Sequence, residues 1–227
     1  LAARRAEIGT ASFARGYHLL PVADGDTAVR AEWVRYWTDP ADYETIVLSV
    51  DPAVSQKASA DASALVVLGR VGNPAEIRNP KSEGAGSGFE FRASDFGSVH
   101  VLEATARRVA APELVQLIDA ADRRWNPAVI LFESNAAFLG IKDLLVRHAR
   151  FGPRVKGVAQ TADKAARVAA FSVAVENGAF RLKADDSGQR ALYEELVTFP
   201  FGTHDDLLDA AATGTAFLLD RRPPRVW

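Results

Sequence analysis

Three groups of carboxylates carry the chemistry open to this sequence. Asp51 ends the apolar run Thr45-Ile46-Val47-Leu48-Ser49-Val50, Glu133 ends Val129-Ile130-Leu131-Phe132, and Asp205, Asp206 and Asp209 follow His204 into the apolar segment that begins at Leu207. Short runs of Ile, Val and Leu, the first closed by Pro52, read as buried strands rather than helices. A carboxylate at the end of such a strand is costly unless a cation pairs with it. Any one of these acids alone also reads as an ordinary strand-end or helix-start carboxylate; together they point to an all-oxygen metal site. With Cys 0 there is no thiolate site and no disulfide, so the donors favour hard cations such as Mg²⁺ or Mn²⁺ over structural zinc.

Other polar residues stand where they could serve such a site. Asp61 precedes the next strand and either faces Asp51 across a hairpin or caps the loop. Lys164 and Arg167, three apart at the start of a helix, share a face and suit phosphate contacts or a plain surface. His204 either orients a water or phosphate or simply neighbours a helix cap. Arg78, Lys81 and Arg92 flank Gly84-Ala85-Gly86-Ser87-Gly88 in an expected hairpin excursion over 72–98, whose tip has little apolar surface to offset ordering entropy. Those three side chains offer charge to a passing phosphate backbone.

The elements that must position these groups follow from the pattern. A helix is expected over Ala28 to Trp37, with Trp33 and Trp37 four apart on one face, ending at Asp39-Pro40. The Asp51 strand pairs in an antiparallel hairpin with Ala62 to Val71, and a third strand runs from Val99 to Val109. A helix opens at Ala111-Pro112-Glu113 and carries the stripe Leu114, Leu117, Ile118 and Ala121 to Trp125. The strand from Ala128 to Phe132, apolar on both faces, reads as a central parallel strand. A helix from Ala136 to Arg150, a strand Arg154 to Val158, a helix capped ahead of Lys164 that runs to Glu176 and is closed by Gly178, an edge strand Phe180 to Leu182, a helix from Ser187 through Leu196 and a last helix from Asp205 to Asp220 complete the chain. This order predicts an α/β fold, an antiparallel three-strand meander joined to parallel strands and flanked by helices. Sites in such sheets open at strand ends, so neighbouring first and fourth strands would bring Asp51 and Glu133 within reach of one metal.

Composition sets the class. The 227 residues, 48% hydrophobic and 25% charged, suit one globular core. No apolar run approaches the ~20 residues of a membrane span, and Leu1-Ala2-Ala3-Arg4-Arg5 lacks a signal-peptide core, so no membrane association and no secretion are expected. The net charge of -2 does not advertise nucleic-acid binding, although acids gathered at a metal site mask local basic clusters such as Arg107-Arg108 and Arg123-Arg124. With Met 0 the chain reads as a processed form or a piece of something longer.

The order and spacing of Val50-Asp51-Pro52-Ala53, Asp61, Phe132-Glu133-Ser134-Asn135, Asp163-Lys164 with Arg167, and Phe199-Pro200 before His204-Asp205-Asp206 and Asp209 resemble the C-terminal nuclease domain of the large terminase subunits of tailed bacteriophages and prophages, which is ribonuclease H-like. The resemblance spans residues 45 to 220, with Glu133 where other members carry Asp. It implies a divalent-metal-dependent endonuclease that cuts concatemeric viral double-stranded DNA during packaging in the bacterial host's cytoplasm. The mechanism implied uses two Mg²⁺ or Mn²⁺ ions about 4 Å apart. Asp51 would bridge both, Glu133 would hold one, and one of Asp206, Asp209 and Asp205 the other. Implied partners are an ATPase domain of the same full-length chain, a small terminase subunit and the portal. No phosphate-binding Gly-x-x-x-x-Gly-Lys motif occurs in the sequence. The division expected is 1–44 as leader after that ATPase, 45–222 as nuclease domain and 223–227 as tail. Two other readings remain open: another ribonuclease H-like nuclease, resolvase or strand-transfer enzyme, and a DNA and portal docking module with latent cleavage.

Overall fold

The computed structural model describes residues 27–53, 62–72, 97–133, 136–159 and 163–219. Asp61, Arg78, Lys81 and Arg92, with most of the expected excursion, lie outside the described residues.

Among the described residues, seven strands form one sheet: β1 (Arg35–Trp37), β2 (Tyr43–Asp51), β3 (Ser63–Val71), β4 (Ser98–Arg107), β5 (Val129–Glu133), β6 (Val155–Val158) and β7 (Phe180–Lys183), in the order β1-β7-β4-β3-β2-β5-β6. β2, β3 and β4 are the antiparallel meander, and β5 and β6 extend it in parallel beyond β2. β7 runs parallel to β4, and β1 parallel to β7. Every strand except β3 therefore points the same way, and the C-terminal ends of the parallel strands share one edge with Asp51 and Glu133.

Among the described residues the α-helices are α1 (Ala111–Trp125), α2 (Ala136–Val146), α3 (Lys164–Glu176), α4 (Ser187–Thr198) and α5 (Asp206–Leu219). Alternation along the central strands divides the core between the two faces. Val47, Ala64, Val66 and Leu68 pack with Val168, Leu192, Leu207 and Leu208 of α3, α4 and α5. Leu48, Val50, Leu65 and Val67 pack with Leu114 and Ile118 of α1 and with Ile141 and Leu145 of α2. Small residues let α5 lie close on the sheet: Ala210, Ala211 and Ala212 are buried, and a Cβ at Gly214 would overlap Leu68 and Ser49.

Three expectations need correction. The segment before Asp39 is a single 3-10 turn (Ala31–Trp33) followed by β1, not a helix from Ala28 to Trp37. The four-residue spacing of its tryptophans serves a crossing of the sheet: Trp33 packs against the α5 side, whereas Trp37 packs on the α1 side. There Trp37 stacks on His100 at 5.3 Å and donates Nε1 to the Val101 carbonyl at 3.1 Å. Phe180 to Lys183 is not an edge strand, because β1 covers its outer side. α2 stops at Val146 rather than Arg150, since Gly152 sits so close that a side chain there would overlap the Val146 carbonyl, and Pro153 cannot continue a helix.

Candidate active site

The register of two strands brings the first pair of acids together. Val50 of β2 lies opposite Phe132 of β5, and both side chains enter the α1 side of the core. The next residue of each strand, Asp51 and Glu133, therefore turns to the other face, under α5, one inter-strand spacing of ~4.8 Å apart along the backbone. The exit of β2 is pinned: Ala53 N donates to Ser63 Oγ at 3.1 Å, and that hydroxyl donates back to the Ala53 carbonyl at 3.3 Å.

α5 supplies the remaining acids. Asp205 precedes its first turn and accepts the Asp209 N–H on its carbonyl at 3.0 Å, while Asp206 and Asp209 lie in that turn. Glu195 of α4 holds the turn from behind, accepting the Leu208 N–H at 2.9 Å. Its carboxylate is buried and takes one of the donors that a helix N-terminus otherwise leaves unmet. Burial raises the Glu195 carboxyl to about 7; its bonds to the Leu208 and Leu207 N–H groups resist the rise, and Asp206 and Asp205 add to it.

Asp51, Glu133, Lys164, Thr203, His204, Asp205, Asp206 and Asp209 line one cleft of about 320 Å³. Asp163 caps α3 by accepting the Ala166 N–H at 2.7 Å, which aims the first turn of α3 at this cleft. Lys164 Nζ lies 2.7 Å from Asp205 Oδ2 and 2.6 Å from Asp209 Oδ2, and Arg167 Nη2 lies 3.0 Å from Asp209 Oδ1. Burial pushes the Asp51 carboxyl up to about 7; Glu133, Asp209 and Asp206 add to the rise and Lys164 opposes it. Burial likewise raises Glu133, where Arg167 and Lys164 pull down and Asp209 pushes up. Burial works against the Lys164 ammonium, but its bonds to Asp205 and Asp209 outweigh that and hold its pKa above the usual lysine value.

Among the described residues, no three carboxylate or histidine side chains converge closely enough to hold a metal ion as they stand. The donor set nevertheless fits a hard cation. All the acids on the cleft are oxygen donors, burial and then their mutual repulsion raise Asp51, and two basic side chains already compensate part of the charge that a cation would neutralise. Asp51, Glu133, Asp205, Asp206 and Asp209 thus lie on one cleft, with His204 on its rim and Lys164 and Arg167 among the acids.

Sequence reasoning missed Ser63 and Glu195. Glu195 did carry a signal. It shares a stripe with Leu192 and Leu196, so an acid was being placed on the buried face of a helix.

No protein-family model matches the sequence, and no curated protein matches it. Solved structures do match its fold. The large terminase of a thermophilic bacteriophage superposes with a TM-score of 0.60 at 12% identity, over 94% of this chain and 51% of that one. The Mn-bound large-terminase nuclease domain of bacteriophage SPP1 matches with a TM-score of 0.51 at 12% identity, over 83% of this chain and 97% of that domain. This chain has the fold of a terminase nuclease domain. The human cytomegalovirus terminase nuclease domain, Mn-soaked and inhibitor-bound, agrees with a TM-score of 0.52 at 13% identity, over 85% and 96% of the two chains. The chain spans about half the length of the thermophilic-phage terminase it matches. The mixed sheet with helices on both faces is the ribonuclease H-like arrangement expected from the sequence. Among the described residues, no helix is long and apolar enough to cross a membrane.

Proposed function

We propose that this chain is a divalent-metal-dependent DNA endonuclease, the nuclease domain of a large terminase subunit that cuts concatemeric viral DNA during packaging. The observation that carries this reading is the juxtaposition of Asp51 and Glu133, neighbouring strand-end carboxylates, under the Asp206 and Asp209 turn of α5 in a terminase-nuclease fold. Mg²⁺ or Mn²⁺ bound there supplies Lewis acidity toward a phosphodiester and lowers the pKa of water. Asp51 would be shared by two such ions, with Glu133 serving one and Asp206 or Asp209 the other. Lys164 and Arg167 neutralise part of the acid charge and offer the phosphate a cationic wall, since the acids alone would repel it. His204, on the exposed rim, stands where it can orient a water or a phosphate oxygen. Double-stranded DNA, an ATPase domain on the same full-length chain, a small terminase subunit and the portal are the partners this reading calls for, in the cytoplasm of a bacterial host. Supercoiled plasmid incubated with the protein and Mg²⁺ or Mn²⁺ is expected to be nicked and linearised, and EDTA to stop it.

A second reading, a docking module with latent cleavage, draws on the basic side chains already bound to both oxygens of Asp209. Retardation of the plasmid in a gel, with no cutting at any metal concentration, would favour it.

A further inference from the structure

Asp209 is the most buried acid of the cleft, its side chain only 7% exposed, and each of its oxygens is held by a different cation. Those two cations are not alike. Arg167 is the deeper, with 18% of its side chain exposed against 36% for Lys164, and its planar guanidinium keeps to Asp209 Oδ1. Lys164 carries a compact charge on a flexible stem at the mouth of the cleft, where it spans Asp205 and Asp209. Its head can leave both acids without moving α3, because the start of that helix is fixed by the Asp163 cap rather than by the lysine.

We propose that Lys164 is a positioning residue whose ammonium stands in for a divalent ion on Asp205 and Asp209 and passes to a DNA phosphate when the site loads, so that metal and DNA bind with positive coupling. The proposal rests on the nuclease reading of the cleft. A divalent ion and the ammonium compete for the same carboxylate oxygens, so the metal-free protein resists loading while Lys164 has no other partner. A phosphate at the cleft mouth provides that partner and releases Asp209 Oδ2. By linkage, DNA then tightens metal binding by the factor by which metal tightens DNA binding. Metal loading is thereby conditional on substrate, which suits a nuclease that must not cut at random.

The test is calorimetric titration of the whole chain with Mn²⁺, with and without a short phosphorothioate duplex, on wild type, Lys164→Gln and Lys164→Arg. The duplex is expected to tighten Mn²⁺ binding by wild type about tenfold. Lys164→Gln is expected to bind Mn²⁺ about tenfold more tightly than wild type without DNA, and to gain less than about twofold when the duplex is added. Lys164→Arg keeps a cation on the acids and is expected to retain a larger duplex effect than Lys164→Gln. Equal duplex effects in wild type and Lys164→Gln, or weaker Mn²⁺ binding by Lys164→Gln, would make Lys164 a structural tie between α3 and α5 and overturn the proposal. Wild type alone also decides it: a duplex that binds without changing Mn²⁺ affinity rules the coupling out even where the variant fails to fold. If wild type neither binds nor cuts DNA, the nuclease reading itself fails, a result distinguishable from the loss of coupling.

Discussion

Two buried aspartates, each gripped by two basic side chains, sit toward opposite edges of the sheet. Asp122, near the end of α1, accepts a hydrogen bond from Arg150 Nε at 2.6 Å and is ion-paired with Arg154 Nη2 at 2.7 Å; Asp209, in the first turn of α5, is ion-paired with Lys164 and Arg167. Around Asp122 the charges are met. Asp119 is paired with Arg123 at 2.8 Å, and Arg154 also donates to the Pro127 carbonyl at 2.7 Å, tying the end of α1 to the entry of β6. Arg123's hydrogen bond holds the Asp119 carboxyl below its usual range. Around Asp209 the same chemistry is left in surplus, with Asp51, Glu133, Asp205, Asp206 and Asp209 set against Lys164 and Arg167; burial pushes the Asp51 and Glu133 carboxyls up, and at Asp51 the neighbouring acids add to the rise. A buried ion cluster whose acids are all met by bases holds elements together; one with acids in excess on an open cleft stores a demand for a cation.

The sharpest way to break this contrast is to remove one acid from each side. Asp51→Asn is expected to lower plasmid cleavage about a thousandfold, the several kcal/mol that metal ions contribute to transition-state stabilisation. The variant should melt in EDTA at or above the wild-type temperature, because a repelled carboxylate has become a neutral amide. A nicking assay with a thermal melt reads both, and an unfolded variant would make Asp51 a structural acceptor. Asp122→Ala should do the reverse. Urea denaturation is expected to show a loss of about 2–3 kcal/mol, discounted from a fully buried pair because Arg150 is half-exposed, with cleavage per folded molecule unchanged. Equal activity losses in the two variants would erase the distinction.

Much of the contrast was readable before folding, and what was not has a physical reason. Short apolar runs ending in acids mark β2 and β5, and the apolar stripe of α1 marks a helix, because these signals are local. Asp51, Glu133 and the Asp205 to Asp209 turn were therefore legible as a set. The tryptophan spacing of Trp33 and Trp37 fits a helix and equally a turn and strand crossing the sheet, and only the pairing of β1 with β7 separates the two. Lys164 meets acids more than forty residues further along the chain, and Glu195 caps a helix that begins after it, so neither partner choice is written in local spacing.

Glu195 offers the smallest expected effect, and tests how far burial behind the α5 turn raises an acid. Its carboxyl titrates near 7 in the fold against an ordinary value of 4.5. Between those values the folded chain holds a proton that the unfolded chain has lost, so in EDTA stability falls as pH rises from about 4.5 to 7 and this contribution levels off on either side. Glu195→Gln keeps an acceptor for the Leu208 N–H and removes the charge, and is expected to flatten part of that slope in urea titrations across the range. An unchanged slope would mean that burial between α4 and α5 does not raise the Glu195 carboxyl.

Anomalous diffraction from a crystal soaked in Mn²⁺ addresses the central claim most directly. The account predicts manganese between the carboxylates of Asp51 and Glu133, with an aspartate of the α5 turn completing the contact and Lys164 drawn off Asp209. Manganese bound only elsewhere, with Lys164 still bridging Asp205 and Asp209 at saturating metal, would contradict it.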